Sequence, residues 1–215
     1  LALIRDRIRV DPGTLTLFST ADWRPVSWRD SSEAARRRDR YVHDHVSFGH
    51  DVETAYLMLE ASHVLGRAHD TTTLRAAKQM VDHAIRNGWD PRVGGFYDAG
   101  YYYRDRPGLV IVERTKNWWA QAEGMNTLLL MADLYPDDPL RYGDKFRTQW
   151  AYVTTYLVDH ARGGWYEGGL DEQPKSRNGP KGHIWKASYH ESRAYMNVVR
   201  RLEGHGTPPA DANGR

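Results

Sequence analysis

At 215 residues, with 40% hydrophobic and 27% charged content, the chain is long enough for one domain with a sizeable core and too apolar for a disordered one. A formal net charge of +2 gives little general attraction for nucleic acid, and zero cysteines exclude disulfides and thiolate metal sites. No apolar run approaches the roughly 20 residues that span a bilayer, so the expectation is a cytoplasmic protein in a reducing compartment, with neither nucleic acid nor membrane as partner.

The first residues, Leu1 to Ile8, are too charged for a signal peptide and read as the end of an amphipathic helix; with no initiator Met, the chain is expected to start within something larger. Arg36-Arg37-Arg38 with Arg40 is a local basic cluster, read as a solvated face. Helical periodicity is clear from about Asp51 to Leu65, with Val52, Ala55, Tyr56, Leu59 and Val64 on one broad face and Gly66 as the stop. A second helix is expected from about Thr72 to Arg86. The turn-rich stretch Asp90 to Asp98, with Gly94-Gly95-Phe96-Tyr97, follows as a place for short strands. The same order returns as a helix from Trp118 to Leu134, a breaker from Tyr135 to Pro139, a helix from Leu140 to Ala161 and the turn Gly163-Gly164-Trp165-Tyr166. A third pass runs from Ser188 to Leu202, leaving 203–215 as a flexible tail and 1–202 as the domain.

The two Gly-Gly-aromatic-Tyr turns are 69 residues apart, and Asp11 to Phe18 looks like a degenerate earlier copy. The helix mouths at His50, Trp118 and His190 are spaced by 68 and 72 residues. A period near 70 corresponds to a helical hairpin plus a loop, units that bury their faces only by stacking side by side. The fold class expected is all-α: an α/α toroid of which this chain supplies about three hairpins, half of a six-hairpin barrel, with short β segments in loops. A missing N-terminal half, or a homo-oligomer, would cover the remaining apolar faces.

Helix N-termini offer free N–H groups and a positive dipole end, which suit anionic oxygens and keep a nearby imidazole neutral. His50 in Ser47-Phe48-Gly49-His50-Asp51-Val52-Glu53 and His190 in Trp185-Lys186-Ala187-Ser188-Tyr189-His190-Glu191-Ser192-Arg193 are therefore a candidate pair for proton transfer. Glu53 lies three residues after His50, where its carboxylate can orient that ring, and Arg193 bears the same relation to His190. Taken singly, His50 could instead cap its helix and His190 pack on Tyr189. Trp118, Trp119 and Trp185 gather at the same mouths, as a pyranose requires of flat stacking faces, whereas Trp89, Trp150 and Trp165 read as core. His43 and His45 with Asp44 and Asp51 lack any familiar metal-ligand spacing, and no phosphate-cradling loop is present, so neither metal nor cofactor is expected.

Taken together, the His50 and His190 segments, Lys116-Asn117-Trp118-Trp119-Ala120-Gln121-Ala122-Glu123 and Gly163-Gly164-Trp165-Tyr166 resemble the N-acylglucosamine 2-epimerase family, which includes cellobiose 2-epimerase and mannose isomerase-like enzymes. The resemblance runs from about Leu1 to Leu202 and corresponds to the C-terminal half of that family's six-hairpin barrel. It implies metal-free C2 epimerisation or aldose–ketose isomerisation of an unphosphorylated mono- or disaccharide. On that resemblance His50 and His190 are the acid/base pair, Glu53 supports the first, and Trp118, Trp119, Glu123, Trp185 and Arg193 line or organise the sugar pocket. Two departures stand out: Tyr56 replaces a common tryptophan, and the stretch Ser27 to His45 is longer than the usual link. Two other readings compete. One is an inverting glycoside hydrolase using two of Asp51, Glu53, Asp98, Glu113 and Glu123; the other is a non-catalytic carbohydrate-binding or interaction scaffold.

Overall fold

The protein is described by a computed structural model, here over residues 1–204; of the tail expected over 203–215, residues 205–215 lie outside the described residues. Five long helices carry the fold. Helix α1, Glu33–Arg38, is a short turn in the stretch before them, and the long ones are α2 (Phe48–Val64), α3 (Thr71–Gly88), α4 (Trp118–Leu134), α5 (Tyr142–Tyr152) and α6 (Tyr189–Leu202). Helices α2 and α3 form one hairpin and α4 and α5 a second, while α2, α4 and α6 pack in sequence as an inner layer. Among the described residues α6 has no hairpin partner, so the expected three hairpins are two and a single helix.

Local chemistry explains the elements. Asp70 caps α3 by accepting the Thr72 N–H at 3.0 Å, and Ala76, Ala77, Met80, Val81 and Ala84 then recur at helical spacing and are buried against α2. Helix α4 is covered on all sides, 14 of its 17 residues being buried, because α2, α5 and α6 enclose it. Helix α6 buries only Ala194 and Val198 and leaves Met196, Val199 and Leu202 exposed. Helix α5 passes into a wider turn, Val153–Leu157, and ends there rather than near Ala161, because Val158 pairs as a β-bridge with Trp165. No helix among the described residues is long and apolar enough to cross a membrane.

The strands sit in loops, as expected, but not where the first glycine turn placed them. The turn itself holds only the bridge between Trp89 and Phe96; the strands follow it. Strands β1 (Arg9–Val10) and β2 (Thr14–Leu15) pair as a small hairpin, the local form of the degenerate first copy. Strands β3 (Val46–Ser47), β4 (Ala99–Tyr101) and β5 (Val110–Glu113) form an antiparallel sheet in which Ser47 faces Ala99. That register anchors the start of α2 beside the end of the glycine turn.

The repeated turn is built around an aspartate and a lysine. Asp90 N–H donates to Gly95 O and Asp159 N–H to Gly164 O, both at 2.9 Å, and the paired glycines have φ of +85° and +87° in one copy and +75° and +71° in the other. Only glycine adopts two such residues without strain. In each copy a lysine closes the turn: Lys116 Nζ donates to Asp90 and to Gly94 O, and Lys181 Nζ to Asp159 and to Gly163 O. Lys116 is fully buried and also reaches Asp171 at 2.8 Å.

Candidate active site

The N-termini of α2, α4 and α6 converge. The Trp119 indole lies between the two histidines, its ring centroid 4.6 Å from His50 and 5.7 Å from His190. Close approach of the first two mouths depends on Gly49, where a Cβ would stand 2.6 Å from the Trp119 ring and 2.7 Å from Ala120 Cβ. The glycine of Ser47-Phe48-Gly49-His50 is thus a packing requirement, and its neighbour His50 is carried to the tryptophan by it.

The histidines have different surroundings. His50 Nδ1 shares a 2.7 Å hydrogen bond with Ser47 Oγ. Protein packed around the ring, then the positive potential of His45 and His190, lowers its pKa below the ordinary imidazole value. His190 Nδ1 instead lies 2.6 Å from Glu123 Oε1, and Arg193 Nη2 donates at 2.5 Å to that same oxygen and to Glu53 Oε1. A carboxylate can only accept here, so the His190 proton on this side is on Nδ1, and Nε2 is the acceptor nitrogen of the neutral ring.

Glu53 does not reach His50, as its helical spacing had suggested. Its carboxylate is 3.7 Å from His190 Nδ1 and is held by Arg193, because a guanidinium arriving from α6 outcompetes an imidazole already bonded to Ser47. Burial, then the neighbouring Glu123 charge, raises the Glu53 pKa. Arg193 also donates to the Tyr189 hydroxyl, so it ties two carboxylates to α6. The ligand atoms of Glu53, Glu123 and His190 lie within 4.8 Å of one another, a spacing that could hold a cation, as could Asp90, Asp171 and Glu172. In the first group the Arg193 guanidinium already supplies that positive charge, and in the second the Lys116 ammonium does. The 4.8 Å limit also puts Glu53 and Glu123 too close for the ~6.5–9.5 Å carboxyl separation of an inverting hydrolase. Asp51 is buried, bonded to Leu15 N–H, and burial raises its pKa well above the ordinary aspartate value.

The three tryptophans part company. Trp119 lines a cavity of about 600 Å³ together with His50, His45, Asp98, Glu113, Asn117, Glu167 and Arg40. Trp118, 5% exposed, points the other way into the core with Met125, Leu157 and Trp165. Trp185 is 79% exposed and is not among the cavity residues. A helix presents residues i and i+1 about 100° apart, which separates an adjacent pair into one buried and one presented ring. Trp89 and Trp165 are core, and Trp150 is 41% exposed.

His43 stacks on Trp28, and His45 Nδ1 bonds to Tyr41 O, so these histidines are engaged separately. Asp98 and Glu167 were the less visible cavity residues. Each directly follows a Gly-Gly-aromatic-Tyr turn, 69 residues apart, and the repeat register itself could have marked them. Asp98 accepts from Thr115 Oγ1 and from the Asn117 N–H at 3.1 Å, and burial pushes its pKa up to about 6.

Paired helices with their inner N-termini on one mouth define an α/α-barrel protein with a polar, histidine-bearing cavity. The chain belongs to the N-acylglucosamine 2-epimerase family, whose model matches residues 3–194. It is 28% identical over 171 residues to a cellobiose 2-epimerase of Dictyoglomus turgidum, covering 74% of this chain and 38% of that one. It is likewise 28% identical over 154 residues to a D-mannose isomerase of Marinomonas mediterranea, covering 72% and 36%. Among solved structures it superposes on the cellobiose 2-epimerase from Spirochaeta thermophila with a TM-score of 0.71 at 27% identity, covering 94% of this chain and 44% of that one. The chain therefore spans less than half the length of each of these proteins.

Proposed function

We propose that this chain carries the proton-transfer half of a sugar 2-epimerase or aldose–ketose isomerase acting on an unphosphorylated mono- or disaccharide. The observation that carries the reading is the pair of histidines flanking Trp119. In the open-chain sugar, the C2 proton next to the carbonyl leaves to give an enediolate. It returns to C2 on the other face for epimerisation, or to C1 for isomerisation. With Ser47 Oγ accepting from Nδ1–H, His50 presents Nε2 as a neutral base, the form its lowered pKa favours. His190, oriented by Glu123, presents its own Nε2, and the two exchange roles with the direction of reaction. Trp119 offers the stacking face between them, and the free N–H groups at the helix mouths stabilise the enediolate oxygens. Arg193, whose Nη2 is taken by two carboxylates, serves by holding Glu53 and Glu123 in place, and Trp118 supports Trp119 from the core.

The test is proton NMR of the chain in deuterium oxide with mannose, glucose, N-acetylmannosamine and cellobiose. Loss of a C2 proton signal, abolished in His190→Ala and in His50→Ala with the fold intact, is the expected result. Exchange that persists in both variants, or none with any of these sugars, overturns the reading.

A further inference from the structure

The arginine cluster of the long Ser27–His45 stretch is divided by the fold into distinct uses. Arg36 is buried, its guanidinium 5.6 Å and 5.0 Å from the rings of Tyr101 and Tyr103, and it donates to the carbonyls of Arg29 and Ser31. Arg38 is exposed and lies 3.6 Å from Asp39. Arg37 reaches the cavity wall but is paired with Glu33 at 2.7 Å. Arg40 is exposed as well, but it lines the same cavity as His50 and Trp119, and among the described residues its guanidinium has no hydrogen bond or ion pair.

The backbone is bent to put it there. Arg40 and Tyr41 have φ of 54° and 55°, two consecutive side-chain-bearing residues in the left-handed region, where such residues are strained. The strain is held from one side: the Tyr41 ring packs 5.2 Å from Tyr101, and its hydroxyl accepts from that of Tyr103 at 2.9 Å. Asp44 fastens the far end, accepting from Trp28 N–H at 2.8 Å and from the Tyr101 hydroxyl at 3.0 Å. A braced turn that places an exposed guanidinium with no carboxylate partner on the wall of a sugar-sized cavity is an arrangement for a ligand anion.

We propose that Arg40 is a specificity residue that binds the carboxylate of a sugar acid, so that the cavity prefers a uronate to the corresponding neutral hexose. The inference rests on the sugar-isomerising reading above. A carboxylate rather than a phosphate is indicated because Glu113 and Glu167 share the lining and oppose a dianion, while they remain suitable acceptors for hydroxyls.

Binding of glucuronate, glucose and glucose 6-phosphate to the intact chain, followed by calorimetry or ligand-observed NMR, tests this. Glucuronate should bind about tenfold more tightly than glucose, as one added charge-assisted contact gives. The preference should vanish in Arg40→Gln and persist in Arg38→Gln, which removes the same charge outside the cavity. Equal binding of glucuronate and glucose, or a preference that survives Arg40→Gln, overturns the assignment while leaving the sugar reading intact. Tighter binding of glucose 6-phosphate overturns the choice of carboxylate. Failure of all three to bind removes both this inference and the reading beneath it.

Discussion

The two histidine mouths look alike in sequence and are built differently. His50 stands among Ser47, Gly49 and Trp119, and the protein packed around one side of its ring lowers its pKa. His190 is wired by Glu123 into a cluster in which one guanidinium joins two carboxylates from two other helices. Burial alone favours a neutral imidazole, whereas an adjacent carboxylate fixes a tautomer and stabilises the imidazolium. A pair so made is unequal before any sugar arrives. The difference lies in what holds each ring: a single hydroxyl at His50, and a carboxylate shared with a guanidinium at His190.

The largest expected effect comes from breaking the charged mouth. Glu123→Gln keeps the shape and one acceptor oxygen but removes the buried negative charge that Arg193 and His190 share, and breaking a buried pair of this type costs roughly 3 kcal/mol or more. Urea unfolding should show that loss, together with loss of C2 proton exchange; a stability change under about 1 kcal/mol would mean that the cluster is only loosely coupled. Gly49→Ala should come next, at about 1–3 kcal/mol, because its Cβ enters the Trp119 ring and Ala120. Trp119 must then move away from His50, which near-ultraviolet circular dichroism would register. An unchanged aromatic signal would show that the two mouths do not depend on their close approach.

Much of this was legible from the residues alone. The helix from Trp118 to Leu134 has the bounds its periodicity indicates, because a strong apolar pattern there meets a turn at one end and Pro136 at the other. The period near 70 identified the convergence of mouths, since equal repeats stacked side by side return equivalent residues to one end. What the sequence hid was pairing across helices. Glu53 is three residues from His50 along the chain, yet it bonds to Arg193, 140 residues away; one-dimensional spacing shows which partners are possible and not which charge competes best. Lys116 and Lys181 were likewise invisible as closures of the aspartate turns, because they lie 26 and 22 residues after the aspartates they bind. The adjacent tryptophans were separable only as one in and one out. Their identity follows from α6 and the Trp165 turn covering the Trp118 side.

The smallest expected effect probes the uncharged mouth. Ser47→Ala removes one hydrogen bond, and with the His50 ring partly open to the cavity, water can replace it, so the loss should be about 1 kcal/mol or less. Burial, not Ser47, heads the causes of the lowered His50 pKa, so in Ser47→Ala the ring should still titrate below the ordinary imidazole value by NMR. A return to that value would transfer control of the proton to the serine. The linkage has a definite sign. Since folding lowers the His50 pKa, the unfolded chain binds more protons, so this residue's contribution is complete above the unfolded value and declines as pH falls through it to the folded one. Asp98, raised to about 6, acts oppositely in the same window, gaining stability as pH falls. The raw pH profile therefore mixes these two with the lowered His45 and His83 and the raised Glu53 and Asp51, and the difference between the wild type and His50→Gln isolates the histidine: the wild type should lose stability relative to the variant on going from pH 7.5 to pH 5 (roughly the span around an imidazole pKa). A flat difference would mean that burial does not govern His50 and that the two mouths are less unlike than their contacts indicate.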